Sequence, residues 1–230
     1  MIQICNLTKR YGRSRGVTDL TLHVPEGGCF GFIGPNGAGK STTIRTLLGL
    51  LSPTAGSARV LGLDCVRERK AILAQVGYMP SEAMFYPDMR VGQVIRLSAN
   101  LRKMDCRTQA AALCEALELD TKKRIRELSL GNRKKVSIVC AMQHRPRLYI
   151  LDEPTSGLDP LVQRAFWSEL EARRKEGATV FLSSHVLYEV QRYCHRAAII
   201  REGRLVIEGT TQELDIENRF FDYYEGRAEL

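Results

Sequence analysis

Two hydrophobic periods take turns along this chain. Ile2–Leu7 and Thr18–Val24 alternate apolar and polar residues, the two-residue period of a half-buried strand. Gly28–Ile33 is a short apolar run that ends in a glycine-rich segment. A helix is expected from about Lys40 to Leu51, stopped by Ser52-Pro53. Ala58–Leu61 and Gln75–Met79 read as further strands. From about Val91 to Met142 the period changes, and Val94, Leu97 and Leu101 recur at helical offsets of three and four. Strand runs return at Arg147–Leu151, Ala178–Leu182 and Ala197–Ile200, and Gly203 punctuates a hairpin into Leu205–Glu208. Between them, Pro160–Lys175 reads as a helix with Asp159 as N-cap and Pro160 in its first position. The pattern predicts an α/β core, interrupted by a helical insertion and then resumed.

The glycine-rich segment carries chemistry. Gly34-Pro35-Asn36-Gly37-Ala38-Gly39-Lys40-Ser41 follows an apolar strand and opens a helix, the context that a phosphate-cradling loop requires. Gly34, Gly37 and Gly39 are expected to let the backbone turn tightly, with left-handed residues, so that its amides point at phosphate. The helix N-terminus adds the positive end of its dipole. Lys40 can reach the β- and γ-phosphates of a nucleoside triphosphate, Ser41 offers a hydroxyl to Mg²⁺, and Thr42 is placed for the α-phosphate. A chance glycine turn would rarely supply the Lys-Ser pair as well.

A second site stands at the end of the run Leu148-Tyr-Ile-Leu-Asp152-Glu153. Two acids at the end of a buried strand are costly unless a cation meets them. Mg²⁺ is such a cation, expected to be held by Asp152 through water, and Glu153 is then placed to polarise an attacking water.

Composition narrows the picture. The 230 residues, 44% hydrophobic and 26% charged, suit an ordinary globular chain of one large or two small domains. Net charge is +8, but the basic residues are scattered, and short runs such as Arg133-Lys-Lys135 read as solvated faces. There is no aromatic-and-basic signature of RNA binding, and no nucleic-acid partner is expected. Seven cysteines without a CxxC pair argue for a reducing compartment rather than for disulfides or zinc. No apolar stretch approaches the ~18 residues of a membrane span, so any membrane connection is expected to run through a partner.

Further short segments fall in a fixed order around the two sites. Lys9-Arg-Tyr11-Gly12 lies upstream, Leu128-Ser129-Leu130-Gly131-Asn132 precedes the acidic strand, Thr155-Ser-Gly157-Leu-Asp159 follows it, and Ser183-Ser-His185 closes the next apolar run. With the two loops, these segments resemble the nucleotide-binding domain of ATP-binding-cassette (ABC) transporters over essentially the whole chain. The resemblance implies a P-loop NTPase (RecA-like) core with an N-terminal antiparallel β subdomain and an inserted α-helical subdomain. It makes 1–230 a single ATPase domain, with core at about 1–90 and 144–209, helical subdomain at about 91–143 and a short tail at 210–230. ATP and Mg²⁺ are the implied cofactors, with residues 34–42 on the phosphates, Ser41 and Asp152 on the metal and Tyr11 stacked on adenine. It also implies head-to-tail pairing, as a homodimer or heterodimer. Ser129 and the Gly131 amide would then contact the γ-phosphate across the interface, and Asp159 would link the two sites. His185 would hold the attacking water in cis beside Glu153.

The chain departs from the family pattern at three places. Leu130 stands where a glycine is usual and Asn132 where a glutamine is usual, while Ser129 and Gly131 remain. Ser81, in Tyr78-Met-Pro80-Ser81-Glu82, stands where the family places a metal-binding glutamine. Ser81 is expected to reach metal only through water, or Glu82 to substitute, with hydrolysis slow or partner-dependent. Phe220-Phe-Asp-Tyr-Tyr224-Glu-Gly226 resembles the terminal helix of longer members, and no accessory fold is expected before it. The expected role is the energy-coupling subunit of an exporter of multidrug, antimicrobial-peptide or polysaccharide type. Its expected place is the cytoplasmic face of the cell membrane, held by a separate permease. Tyr78, Phe85 and Tyr86, near the loop Ser81–Pro87, are candidate permease contacts or, equally, core residues. The alternatives are a soluble ABC ATPase acting on ribosomes or DNA, and a low-turnover regulatory subunit.

Overall fold

Strands and helices follow one another as β1 (Ile2–Tyr11), β2 (Ser14–Val24), β3 (Gly28–Ile33), α1 (Lys40–Leu47), β4 (Ala55–Val60), β5 (Leu63–Asp64), α2 (Arg69–Gln75) and β6 (Val76–Met79). Three helices come next, α3 (Val91–Leu101), α4 (Arg107–Ala116) and α5 (Leu130–Met142). The chain then runs through β7 (Leu148–Asp152), α6 (Pro160–Lys175), β8 (Thr179–Ser184), α7 (Leu187–Tyr193), β9 (Arg196–Arg201) and β10 (Arg204–Thr210). The structure is a computed structural model and describes residues 1–12, 14–216 and 222. The Phe220–Gly226 segment therefore lies, apart from Asp222, outside the described residues.

The strands form two sheets. One is four-stranded and antiparallel, in the order β2-β1-β4-β5. The other has the order β10-β9-β3-β8-β7-β6, and its strands run parallel except for the β9–β10 hairpin. Parallel strands are covered on both faces, so they read as continuous apolar runs. β7 and β8 are buried at every position. The two-residue period then divides them between two cores. Leu148 and Ile150 face a core shared with α1 and the antiparallel sheet, while Tyr149 and Leu151 face one shared with α5 and α6. The α3–α5 stretch joins the second core through Val94, Ile95, Leu113 and Ile125. No helix among the described residues is long and apolar enough to cross a membrane.

Elements differ from the sequence pattern where local chemistry overrides period. The helix expected to reach Leu51 ends at Leu47. Gly49 takes φ 65°, its N–H bonds Thr46 O at 3.0 Å, and Leu50 N–H bonds Arg45 O at 2.8 Å. This is a left-handed cap that stops the helix well before Pro53. The short elements β5, α2 and α7 have too few residues to show a period.

His144, between α5 and β7, is buried with Nε2 3.3 Å from Val76 O and Nδ1 without a partner. Burial, and then the Arg102 cation, lower its pKa to about 4. The folded chain therefore keeps this imidazole neutral, while the unfolded chain protonates it below its ordinary value. Stability is full above about pH 6.5 and falls as pH drops towards 4, by up to about 3 kcal/mol. Urea unfolding at pH 7 and pH 4.5 is expected to show a smaller acid loss for His144→Gln than for the wild type. An equal loss in both proteins contradicts this.

Candidate functional site

Register brings distant segments to one level. β3 pairs with β8 so that Ile33 lies opposite Ser184, and β7 pairs with β8 so that Asp152 lies opposite Ser183. β6 adds Met79 opposite Leu151. The loop after β3, the acids of β7, Ser183-Ser184-His185 and the Ser81 loop thus leave the same edge of the sheet. Ligands bind at this carboxyl edge in open parallel sheets.

The glycine loop is shaped by two different constraints. Gly37 and Gly39 take φ 80° and 108°, as expected, but Gly34 is not left-handed. Gly34 is required for room instead, because a Cβ there would lie 2.3 Å from Ile200 O. Gly39 is the N-cap of α1 and has no side chain, so no side chain caps the first turn. The open N–H groups and the helix dipole favour an anion there. Asn36, Gly37, Gly39, Lys40, Ser41 and Thr42 line a cleft of about 160 Å³, together with Gly16 and Glu153. Gly34, Pro35 and Ala38 do not line it; Ala38 is buried and the other two shape the loop from behind. Tyr11 stands beside the cleft, with its hydroxyl 3.4 Å from Thr42 Oγ1 and its ring partly exposed. A larger cavity of about 780 Å³, lined in part by Arg174, His195 and Thr211, holds none of these residues.

One carboxylate joins the loop to the histidine. Glu153 Oε1 lies 3.4 Å from Lys40 Nζ, and Oε2 lies 3.1 Å from His185 Nδ1. Lys40 also donates to Gly34 O at 2.7 Å and Pro35 O at 3.0 Å. Glu153 sits at φ 50°, a left-handed conformation that costs a non-glycine residue about 1–3 kcal/mol. The surrounding structure holds it there: its N–H bonds Ser183 O at 3.0 Å and its carbonyl accepts from Lys134 Nζ at 2.7 Å.

Asp152 is 1% exposed. Its Oδ1 accepts a hydrogen bond from the Ser183 hydroxyl, while Oδ2 is buried without a partner. Such an oxygen is costly to bury unless a cation meets it. With the Ser41 hydroxyl in the cleft, it supplies the hard oxygen ligands that fit Mg²⁺. No cluster of three or more His, Cys, Asp or Glu with metal-binding geometry exists among the described residues. Mg²⁺ needs none, since it takes one or two protein oxygens and completes its shell with phosphate and water.

Other expected site residues stand apart from the cleft. Ser129 is the N-cap of α5 and accepts from Asn132 N at 3.3 Å and Asn132 Nδ2 at 3.2 Å. A Cβ at Gly131 would lie 3.1 Å from the Gly157 carbonyl oxygen. Asp159 caps α6 by accepting from Leu161 N at 3.1 Å and Val162 N at 3.0 Å. None of the three lines the cleft. Ser81 gives its carbonyl to Lys134 Nζ at 3.0 Å, and Glu82 is exposed.

Three residues carried no signal in the sequence. Gly16 lines the cleft. Glu189, buried on α7, accepts from the hydroxyls of Thr155 and Ser184 and so ties the loop carrying His185 to the segment after Glu153. Lys134 was hidden in a basic run.

The family model described as ABC transporter matches residues 17–156. Nod factor export ATP-binding protein I of Paraburkholderia xenovorans (strain LB400) is 36% identical over 218 residues, which cover 93% of this chain and 72% of that protein. Bacitracin transport ATP-binding protein BcrA of Bacillus licheniformis is 35% identical over 222 residues, 95% of this chain and 72% of its own length. A solved structure of the ATP-binding subunit of an ABC transporter superposes with a TM-score of 0.88 at 30% identity, covering 97% of this chain and 94% of that one. The chain belongs to the ABC transporter family, as one of its ATP-binding, ATP-hydrolysing cassettes.

Proposed function

We propose that this cassette binds Mg-ATP in the cleft at residues 34–42 and that its hydrolysis drives a separate membrane permease that exports its cargo. The observation that carries the catalytic reading is Glu153, whose carboxylate stands between Lys40 and His185 over the phosphate loop. Lys40 donates to Gly34 O and Pro35 O and lies beside the Glu153 carboxylate. Triphosphate oxygens are stronger partners for an ammonium than amide carbonyls. ATP therefore draws Lys40 onto the phosphates and frees Glu153 for a water. Glu153 accepts the proton of that water as it attacks the γ-phosphorus, and the bond to the bridging β–γ oxygen breaks. His185, anchored on its loop by the Ser184–Glu189 bond, orients the water and the γ-phosphate. Ser41 and Asp152 would hold Mg²⁺, which neutralises phosphate charge when bound. Tyr11 stacks on the adenine.

The cleft is open on one side, and Ser129, Gly131 and Asp159 are not among its walls. A second cassette, placed head to tail, would bring the N-terminus of its α5 to that opening with its dipole aimed at the γ-phosphate. Export is supported by the similarity to the Nod factor export ATP-binding protein. The permease reading is supported by the exposed apolar residues after β6, Met84 and Tyr86, which are 93% and 71% exposed. Phe85 packs partly against the core and Tyr78 is half-buried, so Tyr86 and Met84 are the stronger contacts. The cassette is then held at the cytoplasmic face of the membrane by its permease.

Glu153→Gln is expected to bind ATP but to lose hydrolysis by about 100-fold or more, and to accumulate as an ATP-dependent dimer on size exclusion. A variant that turns over at the wild-type rate would exclude Glu153 as the base. Lys40→Ala loses charge-assisted bonds and is expected to weaken ATP binding by about tenfold or more in a fluorescent-nucleotide titration. Tagged chain drawn from detergent-solubilised membranes is expected to carry a multi-spanning protein with it. Recovery without any such protein rules against the permease reading.

A further inference from the structure

Lys134 lies in the run Arg133-Lys-Lys135, whose charge predicts a solvated face. It is instead 4% exposed. Its ammonium donates to two main-chain carbonyls from separate loops, Ser81 O at 3.0 Å and Glu153 O at 2.7 Å. Burial lowers its pKa from the usual lysine value, and the nearby carboxylates of Glu153, Asp152, Glu189 and Glu82 pull it back up. A charge so buried keeps its place only while its hydrogen bonds are made.

The two bonds have a mechanical consequence. α5 is one rigid helix whose N-cap is Ser129 and whose second turn carries Lys134. Lys134 thereby ties α5 to the ends of β6 and β7. The left-handed backbone of Glu153 is fixed on the amide side by Ser183 O, and its carbonyl accepts from Lys134 Nζ at 2.7 Å and more weakly from Ser156 N at 3.4 Å, so Lys134 makes the shorter of its two carbonyl bonds. Ser81 supplies the other carbonyl, so the loop after β6 follows the same helix.

We infer that Lys134 is a positioning residue for hydrolysis, a clamp that sets the main chain of Glu153 and of the Ser81 loop relative to α5. The inference rests on the reading of Glu153 as the proton acceptor. The clamp acts on the chemical step and not on nucleotide capture, because among the described residues its hydrogen bonds reach Glu153 alone of those that line the cleft. A methionine of similar length keeps the packing but removes both bonds. A glutamine keeps amide N–H donors without the charge and with a shorter reach.

The test uses the full chain, with ATP turnover, ATP affinity from a fluorescent analogue and thermal unfolding measured in parallel. Lys134→Met is expected to lower kcat by about tenfold or more while ATP affinity stays within about twofold. Lys134→Gln is expected to regain a clear part of the lost rate at a similar melting temperature, which a packing role alone would not produce. Wild-type kcat in Lys134→Met, or a joint loss of kcat and ATP affinity in both variants, overturns the inference. Lys134→Leu is read in the same way should Lys134→Met not fold. Glu153→Gln serves as the reference. If it hydrolyses ATP normally, the reading of Glu153 fails; if it is inactive beside a fully active Lys134→Met, only the clamp fails.

Discussion

The parallel register of β3, β8 and β7 is the constraint on which the site depends. Ile33, Ser184 and Asp152 end at one level because each strand is paired with its neighbour along its length. A one-residue slip would turn the apolar residues of a strand to the opposite face. β7 cannot slip, since Leu148 and Ile150 fill one core and Tyr149 and Leu151 the other. The burial that stabilises the sheet therefore also aligns the phosphate loop, the acids and the histidine.

What the sheet aligns is a set of buried charges, and each is satisfied by a specific neighbour. Lys40 rests on loop carbonyls and Glu153. Glu189 takes two hydroxyls, and Lys134 takes two main-chain carbonyls. Asp152 Oδ2 is the exception, buried without a partner. The contrast is informative, because a buried oxygen without a partner is costly where its charged neighbours are all paired. Glu153 is bound at the main chain on both sides, and these contacts hold its left-handed backbone in place. The departures in the signature segment fit the same economy. Asn132 joins Ser129 at the cap of α5, and Leu130 stays exposed at 64% beside it.

Much of this was legible along the chain. The two-residue and helical periods located the strands and the α3–α5 stretch, and the glycine loop, Asp152-Glu153 and Ser183–His185, singled out as candidates, meet at one edge of the sheet. Asp159 and Pro160 opened α6 as their cap chemistry predicts. The end of α1 was misplaced because Gly49, a single left-handed residue, outweighed the proline beyond it. Gly34 was expected to turn and instead makes room for Ile200. Lys134 was expected in solvent and is buried.

These differences share a physical origin. Periodicity, capping and phosphate-loop chemistry act between near neighbours, so the amino-acid order alone determined the element types, the nucleotide loop and the acids. Burial is decided by what packs over a residue from elsewhere in the chain. Lys134 meets a carbonyl 53 positions away, and Thr155 meets a carboxylate 34 positions away. Only the tertiary structure could bury a lysine from a basic run against the carbonyls of Ser81 and Glu153, because only there do the ends of β6 and β7 close over it.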